Sequence, residues 1–249
     1  MKKLVAFDLD GTLAQSKQPI ADSMGKLLAE LLAVVDVAVI SGGDWPQFEK
    51  QVIARLPKSA DVKRLYIMPT TGSKLYRATD GKWSAVYADN FTKEEGQKIR
   101  AALDKAVSDA GLKGEKIWGE QIEDRGSQIT FSGLGQEAPL DAKSKWDPDQ
   151  KKRQALQTTL RKALPDLSIN TGGATSVDIT QKGVDKAYAM HRLAKESGVA
   201  VKDMLFMGDA TYPGGNDAPV PEAGMDTITV RDAQDTETAI APVIACLKP

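Results

Sequence analysis

The 249-residue chain contains one cysteine and one histidine. A single thiol, Cys246, excludes an internal disulfide and any cysteine-based zinc site. A Ser-His-Asp or Cys-His hydrolase would have to use His191, whose setting, Ala187-Tyr188-Ala189-Met190-His191-Arg192-Leu193, reads as helix surface. Charge of either sign is not in excess: 33 basic residues face 34 acidic ones, for a net charge of −1. No global field therefore draws the protein to nucleic acid or to a membrane surface. No apolar run approaches the ~18 residues of a membrane span. The Met-Lys-Lys start enters a strand-length apolar run and not a signal peptide, so a soluble, reducing, cytoplasmic setting is expected. Internal repeats, low-complexity segments and a G-x-x-x-x-G-K-[ST] phosphate loop are also missing. Gly133-Leu134-Gly135-Gln136-Glu137-Ala138 has dinucleotide-motif spacing, but Pro139 follows at once and no helix is expected to open there.

What is present is an alternation of strands and helices at both ends of the chain, as a parallel sheet with crossover helices requires. Strands are expected at Leu4–Phe7, Val34–Ile40, Leu65–Met68, Met204–Met207 and Thr227–Val230. Helices are expected at Ala21–Leu32, to about Leu56 from a cap at Asp44 with Pro46 in the first turn, at Val184–Ser197, and from about Thr236. Thr79-Asp80-Gly81 between Lys74–Arg77 and Lys82–Tyr87 reads as a hairpin. The middle differs in kind. Helices at Thr92–Ala110 and from Asp147-Pro148-Asp149 to about Leu164 are each followed by strand pairs, Lys116–Asp124 with Ser127–Ser132 and Leu167–Asn170 with Ser176–Thr180. We read residues 86–182 as an inserted α+β domain, and 1–85 with 183–249 as one discontinuous α/β core.

The first strand ends in Phe7-Asp8-Leu9-Asp10-Gly11-Thr12-Leu13. Ionised carboxylates behind an apolar strand cost stability unless a cation or donor meets them. Residues two apart in a strand point the same way, so Asp8 and Asp10 can face one site. A hard divalent cation such as Mg2+ is the simplest occupant.

This Asp-x-Asp-Gly-Thr-Leu run resembles the first motif of the haloacid dehalogenase (HAD) superfamily, whose members are mostly phosphatases and phosphotransferases. Further elements follow in the expected order: Ser41 after an apolar run, then Lys186, then Gly208-Asp209 with Asn216-Asp217. The resemblance implies a Rossmann-like core with a parallel sheet, and the position of the insert is similar to the type IIB cap. It implies Asp8 as a nucleophile forming an aspartyl-phosphate and Asp10 as the acid that protonates the leaving oxygen and later acts as base. Gly11, Thr12 and Gly42 would meet phosphate oxygens, with Ser41 as a hydroxyl donor and Lys186 as the positive charge. Asp8, Asp10 and Asp209, with Asn216 or Asp217, would cage Mg2+. Lys182 competes for the lysine role; Lys186 is preferred because family members place this lysine just inside a helix start. A phospho-acceptor signalling domain, a non-enzymatic alternative, has neither the D-x-D spacing nor an inserted cap.

Within the superfamily, Gly208-Asp209-Ala210-Thr211-Tyr212-Pro213-Gly214-Gly215-Asn216-Asp217 looks like the GD-x-x-x-PGGND signature of eukaryotic-type phosphomannomutases. Gly172-Gly173-Ala174-Thr175-Ser176-Val177-Asp178 is similar to their cap segment. The likeness implies that Ser176, Asp178 and Arg125 bind the phosphosugar, and an arginine fork suits a phosphate dianion. Three departures run the other way. Gln136 stands where the family carries another arginine, Lys17 replaces an arginine, and Ser41-Gly42-Gly43 stands where the mutases have Gly-Gly-Ser. On these grounds a Mg-dependent sugar-phosphate phosphatase is expected, with phosphomannomutase as the alternative. The expected partner is a small phosphorylated molecule, with no nucleic acid or membrane, the chain acting alone or as a homodimer.

Overall fold

The computed structural model describes residues 1–113 and 116–248, so Gly114, Glu115 and Pro249 of the expected domains lie outside the described residues. From the N-terminus run β1 (Leu4–Asp8), α1 (Asp22–Leu32), β2 (Asp36–Ile40), α2 (Trp45–Gln51), β3 (Leu65–Met68), β4 (Lys74–Thr79) and β5 (Lys82–Ala88). Then follow α3 (Lys93–Asp109), β6 (Ile122–Asp124), β7 (Gln128–Ser132), α4 (Leu140–Trp146), α5 (Lys151–Ala163), β8 (Leu167–Gly172) and β9 (Ser176–Gln181). The chain closes with α6 (Lys186–Ser197), β10 (Met204–Gly208), α7 (Pro219–Glu222), β11 (Thr227–Thr229) and α8 (Ala233–Leu247). These elements form two compact units, Met1–Ala88 with Asp185–Pro249, and Asp89–Val184.

The first unit is a seven-stranded sheet in the order β11-β10-β1-β2-β3-β4-β5. Pairing is parallel from β11 to β3 and antiparallel in the β3–β4–β5 corner. Its central strands are apolar throughout because both faces are covered. Val5, Phe7, Val37 and Val39 pack with Met24 and Leu28 of α1, Phe48 of α2 and Ile240 of α8. Leu4, Ala6, Ala38 and Ile40 pack with Ala189, Met190 and Leu193 of α6. Asp80 and Gly81 both take positive φ, 50° and 76°, which closes the β4–β5 hairpin as the sequence predicts.

The second unit is a four-stranded antiparallel sheet, β6-β7-β9-β8. Period-2 alternation splits its faces. Ile129, Phe131, Val177 and Ile179 join Ile99, Leu103, Leu156 and Leu160 of α3 and α5 in one core. The intervening residues pair as Gln128↔Thr180, Thr130↔Asp178 and Ser132↔Ser176, giving the sheet one wholly polar face.

Three local expectations need correction. Only Ile122–Asp124 of the expected strand from Lys116 is a strand; Gly119 sits at φ 72° and interrupts it. A helix, α4, does open directly after Pro139, whose φ of −66° suits the position before a first turn. The preceding glycines are nonetheless used for packing: a Cβ at Gly133 would enter the Trp146 ring, and one at Gly135 would strike the Trp118 carbonyl. Asp44 precedes α2 without capping it, because its carboxylate is paired with the buried Lys74 ammonium at 2.8 Å.

Candidate active site

Register places the site. Asp8 is level with Ile40 on one side, and Phe7 is level with Met207 on the other. Asp8, Ser41 and Asp209 therefore stand at the C-terminal ends of three neighbouring strands, where open α/β sheets take ligands. The turn after β1 is tight: the Gly11 N–H donates to the Ala14 carbonyl at 2.7 Å, with Gly11 at φ 96°. A Cβ there would lie 2.6 Å from Asp209 Oδ2, so glycine lets this backbone come close to the second acid. Thr12 is fully buried; its hydroxyl donates to Asp209 Oδ1 at 3.2 Å, and its carbonyl accepts from the Thr236 hydroxyl at 2.7 Å.

Lys186 opens α6 behind Asp185, whose carboxylate caps the helix by accepting from the Tyr188 N–H. The Lys186 ammonium is buried; it lies 2.7 Å from Asp8 Oδ1 and is also paired with Asp217 Oδ1. The other Asp217 oxygen accepts from the Ala210 N–H at 3.0 Å. Asp8, Asp209 and Asp217 each offer an oxygen within 4.8 Å of the others. Two carboxylates, Asp8 and Asp217, thus share one ammonium, with Asp209 beside them.

Burial pushes the Asp8 carboxyl well above the ordinary carboxylate range; Lys186 pulls it back, while Asp217 and Asp209 push it further up. Asp209 is raised too, first by burial and then by Asp217. Burial alone would lower the Lys186 ammonium, but Asp217 and Asp8 outweigh it and hold its pKa above the ordinary lysine value. Three acids, Asp8 and Asp217 buried and Asp209 half-buried, beside one base suit a divalent cation with oxygen ligands, so the residues fit Mg2+. Asp217 spends its oxygens on Lys186 and Ala210, which leaves Asp8 and Asp209 better placed as ligands and Asp217 as the group that orients the lysine.

Ser41 is buried one residue past β2, and its hydroxyl oxygen accepts from the Gly43 N–H at 3.2 Å. Its carbonyl and that of Gly43 accept from the N–H groups of Thr71 and Thr70, at 2.9 Å each. Those two threonines sit in left-handed backbone, at φ 57° and 51°. Consecutive non-glycine residues in that region carry strain, stored here beside the Ser41–Gly42–Gly43 loop.

Within the second unit, Arg125 is buried, its guanidinium 2.6 Å from Glu123 and 3.4 Å from the Gln136 amide oxygen. Asp178 accepts from the Thr130 hydroxyl at 2.8 Å. Gly172 leaves the space that the Asp178 carboxylate fills. Ser176 is half-buried on the same polar face.

A family profile described as eukaryotic phosphomannomutase matches residues 24–245. The chain belongs to that family. A phosphomannomutase of Encephalitozoon cuniculi is 30% identical over 225 residues, covering 87% of this chain and 83% of its own. The fold is also that of an IMP-nucleotidase from Plasmodium falciparum, at TM-score 0.73 and 15% identity over 98% of this chain and 68% of that one. A haloacid dehalogenase-like hydrolase from Bacteroides thetaiotaomicron matches at TM-score 0.63 and 13% identity, over 98% and 100%. The phosphomannomutase-family chain is thus an enzyme of the HAD superfamily, a phosphatase or phosphotransferase. The expectation of a plain phosphatase gives way: family and relatives favour the alternative, a phosphomannomutase. Asp8 and Asp10 precede the matched span, so their assignment rests on geometry.

The structure separates residues that the sequence grouped. The Asp10 carboxylate stands apart from the Asp8–Asp209–Asp217 group; it accepts instead from the Lys17 N–H at 2.7 Å and the Gln47 amide at 2.8 Å. Asn216 is exposed while Asp217 beside it is wholly buried. The Lys182 ammonium is engaged by the Pro165 carbonyl at 2.8 Å. His191 is exposed on α6 and Cys246 on α8. Sequence reading missed Gln47 and Thr236, which touch the site from helices. It also missed Arg153, which pairs with buried Asp147 at 2.8 Å and donates to the carbonyls of Gly172 and Gly173. Its partner Gly173 lies 20 residues away, so no local pattern in the sequence marks it. No described helix is long and apolar enough to cross a membrane.

Proposed function

We propose that this chain is a Mg2+-dependent phosphotransferase that interconverts mannose 1-phosphate and mannose 6-phosphate through an aspartyl-phosphate on Asp8. The observation that carries the reading is the buried Asp8 carboxylate, paired with Lys186 beside two further acids at the strand ends. An Asp8 oxygen attacks phosphorus, the bond from phosphorus to the substrate oxygen breaks, and Asp10 delivers the proton that oxygen needs. In the return step a sugar hydroxyl attacks the phosphoryl group, its proton passes to Asp10, and the bond to Asp8 breaks. Lys186, the Ser41 hydroxyl and the backbone at Gly42 meet the phosphoryl oxygens; Gly11 and Thr12, expected to do so, instead give their N–H and hydroxyl to the Ala14 carbonyl and Asp209. Mg2+, held by Asp8 and Asp209 with Asp217 behind them, supplies charge neutralisation when bound. The inserted domain, residues 86–182, serves as the cap, and Arg125, Ser176 and Asp178 hold the sugar phosphate. The enzyme works in the cytoplasm on a small phosphorylated sugar, alone or as a homodimer.

Hydrolysis is the second reading. It is favoured by the Ser41-Gly42-Gly43 form and by Gln136 beside Arg125, which leaves fewer arginines for a second phosphate. Incubation with mannose 1-phosphate and a hexose bisphosphate activator separates the two. Mannose 6-phosphate formed faster than inorganic phosphate supports the mutase; phosphate release without isomerisation supports the phosphatase.

A further inference from the structure

Each carboxylate oxygen of Asp10 has a donor of its own. Oδ1 accepts from the Lys17 N–H, a backbone donor in a residue fixed at φ 58°. Oδ2 accepts from the Gln47 side-chain amide at 2.8 Å. The backbone donor anchors one oxygen, which leaves Oδ2 as the oxygen able to exchange partners. Gln47 reaches it from the first turn of α2, past Gly43. A Cβ at Gly43 would lie 2.6 Å from the Gln47 amide carbon, so a side chain at residue 43 would force the end of Gln47 to shift. The serine that the mutase form of this loop carries at the third position would displace the amide.

We propose that Gln47 is a positioning residue that directs Oδ2 of Asp10 at the leaving oxygen, and that Gly43 is required for it to do so. The proposal rests on the reading of Asp10 as the proton donor. Gln47 does not touch the reacting phosphorus; it acts through Asp10. Its effect is therefore largest where the leaving oxygen is most basic and most in need of a proton.

Phenyl phosphate, with the more basic leaving oxygen, and p-nitrophenyl phosphate, with the less basic one, test this with Mg2+ present and without assuming a sugar. In Gln47→Ala the ratio of kcat on p-nitrophenyl phosphate to kcat on phenyl phosphate rises about tenfold, with KM for phenyl phosphate unchanged. Gly43→Ser raises the ratio in the same way. An unchanged ratio in Gln47→Ala, whether both rates fall together or neither falls, overturns the proposal. Asp10→Asn identifies which assignment has failed. If Asp10→Asn raises the ratio and Gln47→Ala does not, only the role of Gln47 is lost; if Asp10→Asn leaves it unchanged, the proton-donor reading of Asp10 is lost as well.

Discussion

The ammonium of Lys186 lies 2.7 Å from Asp8 Oδ1, with both side chains buried. The lysine belongs to the first turn of α6 and the acid to the end of β1, so the pair ties two distant stretches of sequence into one electrostatic unit. Removing the cation leaves Asp8 and Asp217 as buried carboxylates without their partner. Lys186→Met is expected to cost about 3 kcal/mol in urea unfolding without Mg2+ and to abolish turnover. Unaltered stability would mean that the pair is not formed in solution.

Gly11 is expected to tolerate no side chain. Its φ of 96° strains an L-residue, and a Cβ would collide with the Asp209 carboxylate. Gly11→Ala should lower stability by about 1–2 kcal/mol and weaken Mg2+ binding, read by calorimetry. Binding as tight as in the wild type would dissociate the turn from the metal site.

Arg153 holds the turn from which Ser176 and Asp178 lead away. Its guanidinium joins buried Asp147 to the Gly172 and Gly173 carbonyls. Arg153→Met should cost about 3 kcal/mol and raise KM for the sugar phosphate while KM for p-nitrophenyl phosphate stays put. Equal changes in both KM values would contradict a role in placing the sugar.

The acids make Mg2+ binding depend on pH in a defined direction. Asp8 and Asp209 are raised above the ordinary carboxylate range, so they stabilise the ion-free fold most at low pH. That contribution is lost as pH rises through their folded-state pKa values. Mg2+ requires the ionised forms, so binding releases protons in that window. The rise in Tm caused by Mg2+ should grow as pH is raised above the ordinary carboxylate range, and the binding enthalpy should vary with the ionisation enthalpy of the buffer. A Tm rise independent of pH would contradict the raised carboxyls. Lys186 is raised as well, so its stabilisation holds below the ordinary lysine pKa and disappears only in stronger alkali.

The parallel sheet was legible because its strands are short apolar runs separated by amphipathic helices, and the acids at their ends have no use in a folded core. Asp8, Ser41 and Asp209 come together through register alone, which the positions of the runs already imply. Gln47 was illegible: its contact with Asp10 spans 37 residues and depends on space above Gly43. The separation of Asp10 from the other acids was hidden for a related reason. Strand alternation places both Asp8 and Asp10 on one face, but the chain leaves the strand at Asp8 and turns at Gly11. Helix α4 was hidden because seven residues after a proline show too little periodicity to register. The choice between mutase and phosphatase lay in a few substitutions, Gln136 and Gly43 among them, whose effect depends on their neighbours and not on their type.

Catalysis as proposed requires Asp8 to carry the phosphoryl group. Acid quenching during turnover of mannose 1-phosphate with Mg2+ and a hexose bisphosphate, followed by peptide mass mapping, tests this directly. One phosphoryl group is predicted on the peptide containing Asp8, and none on it in Asp8→Asn, which also loses turnover. Undiminished turnover in Asp8→Asn, or a phosphoryl group trapped on another residue, would contradict it.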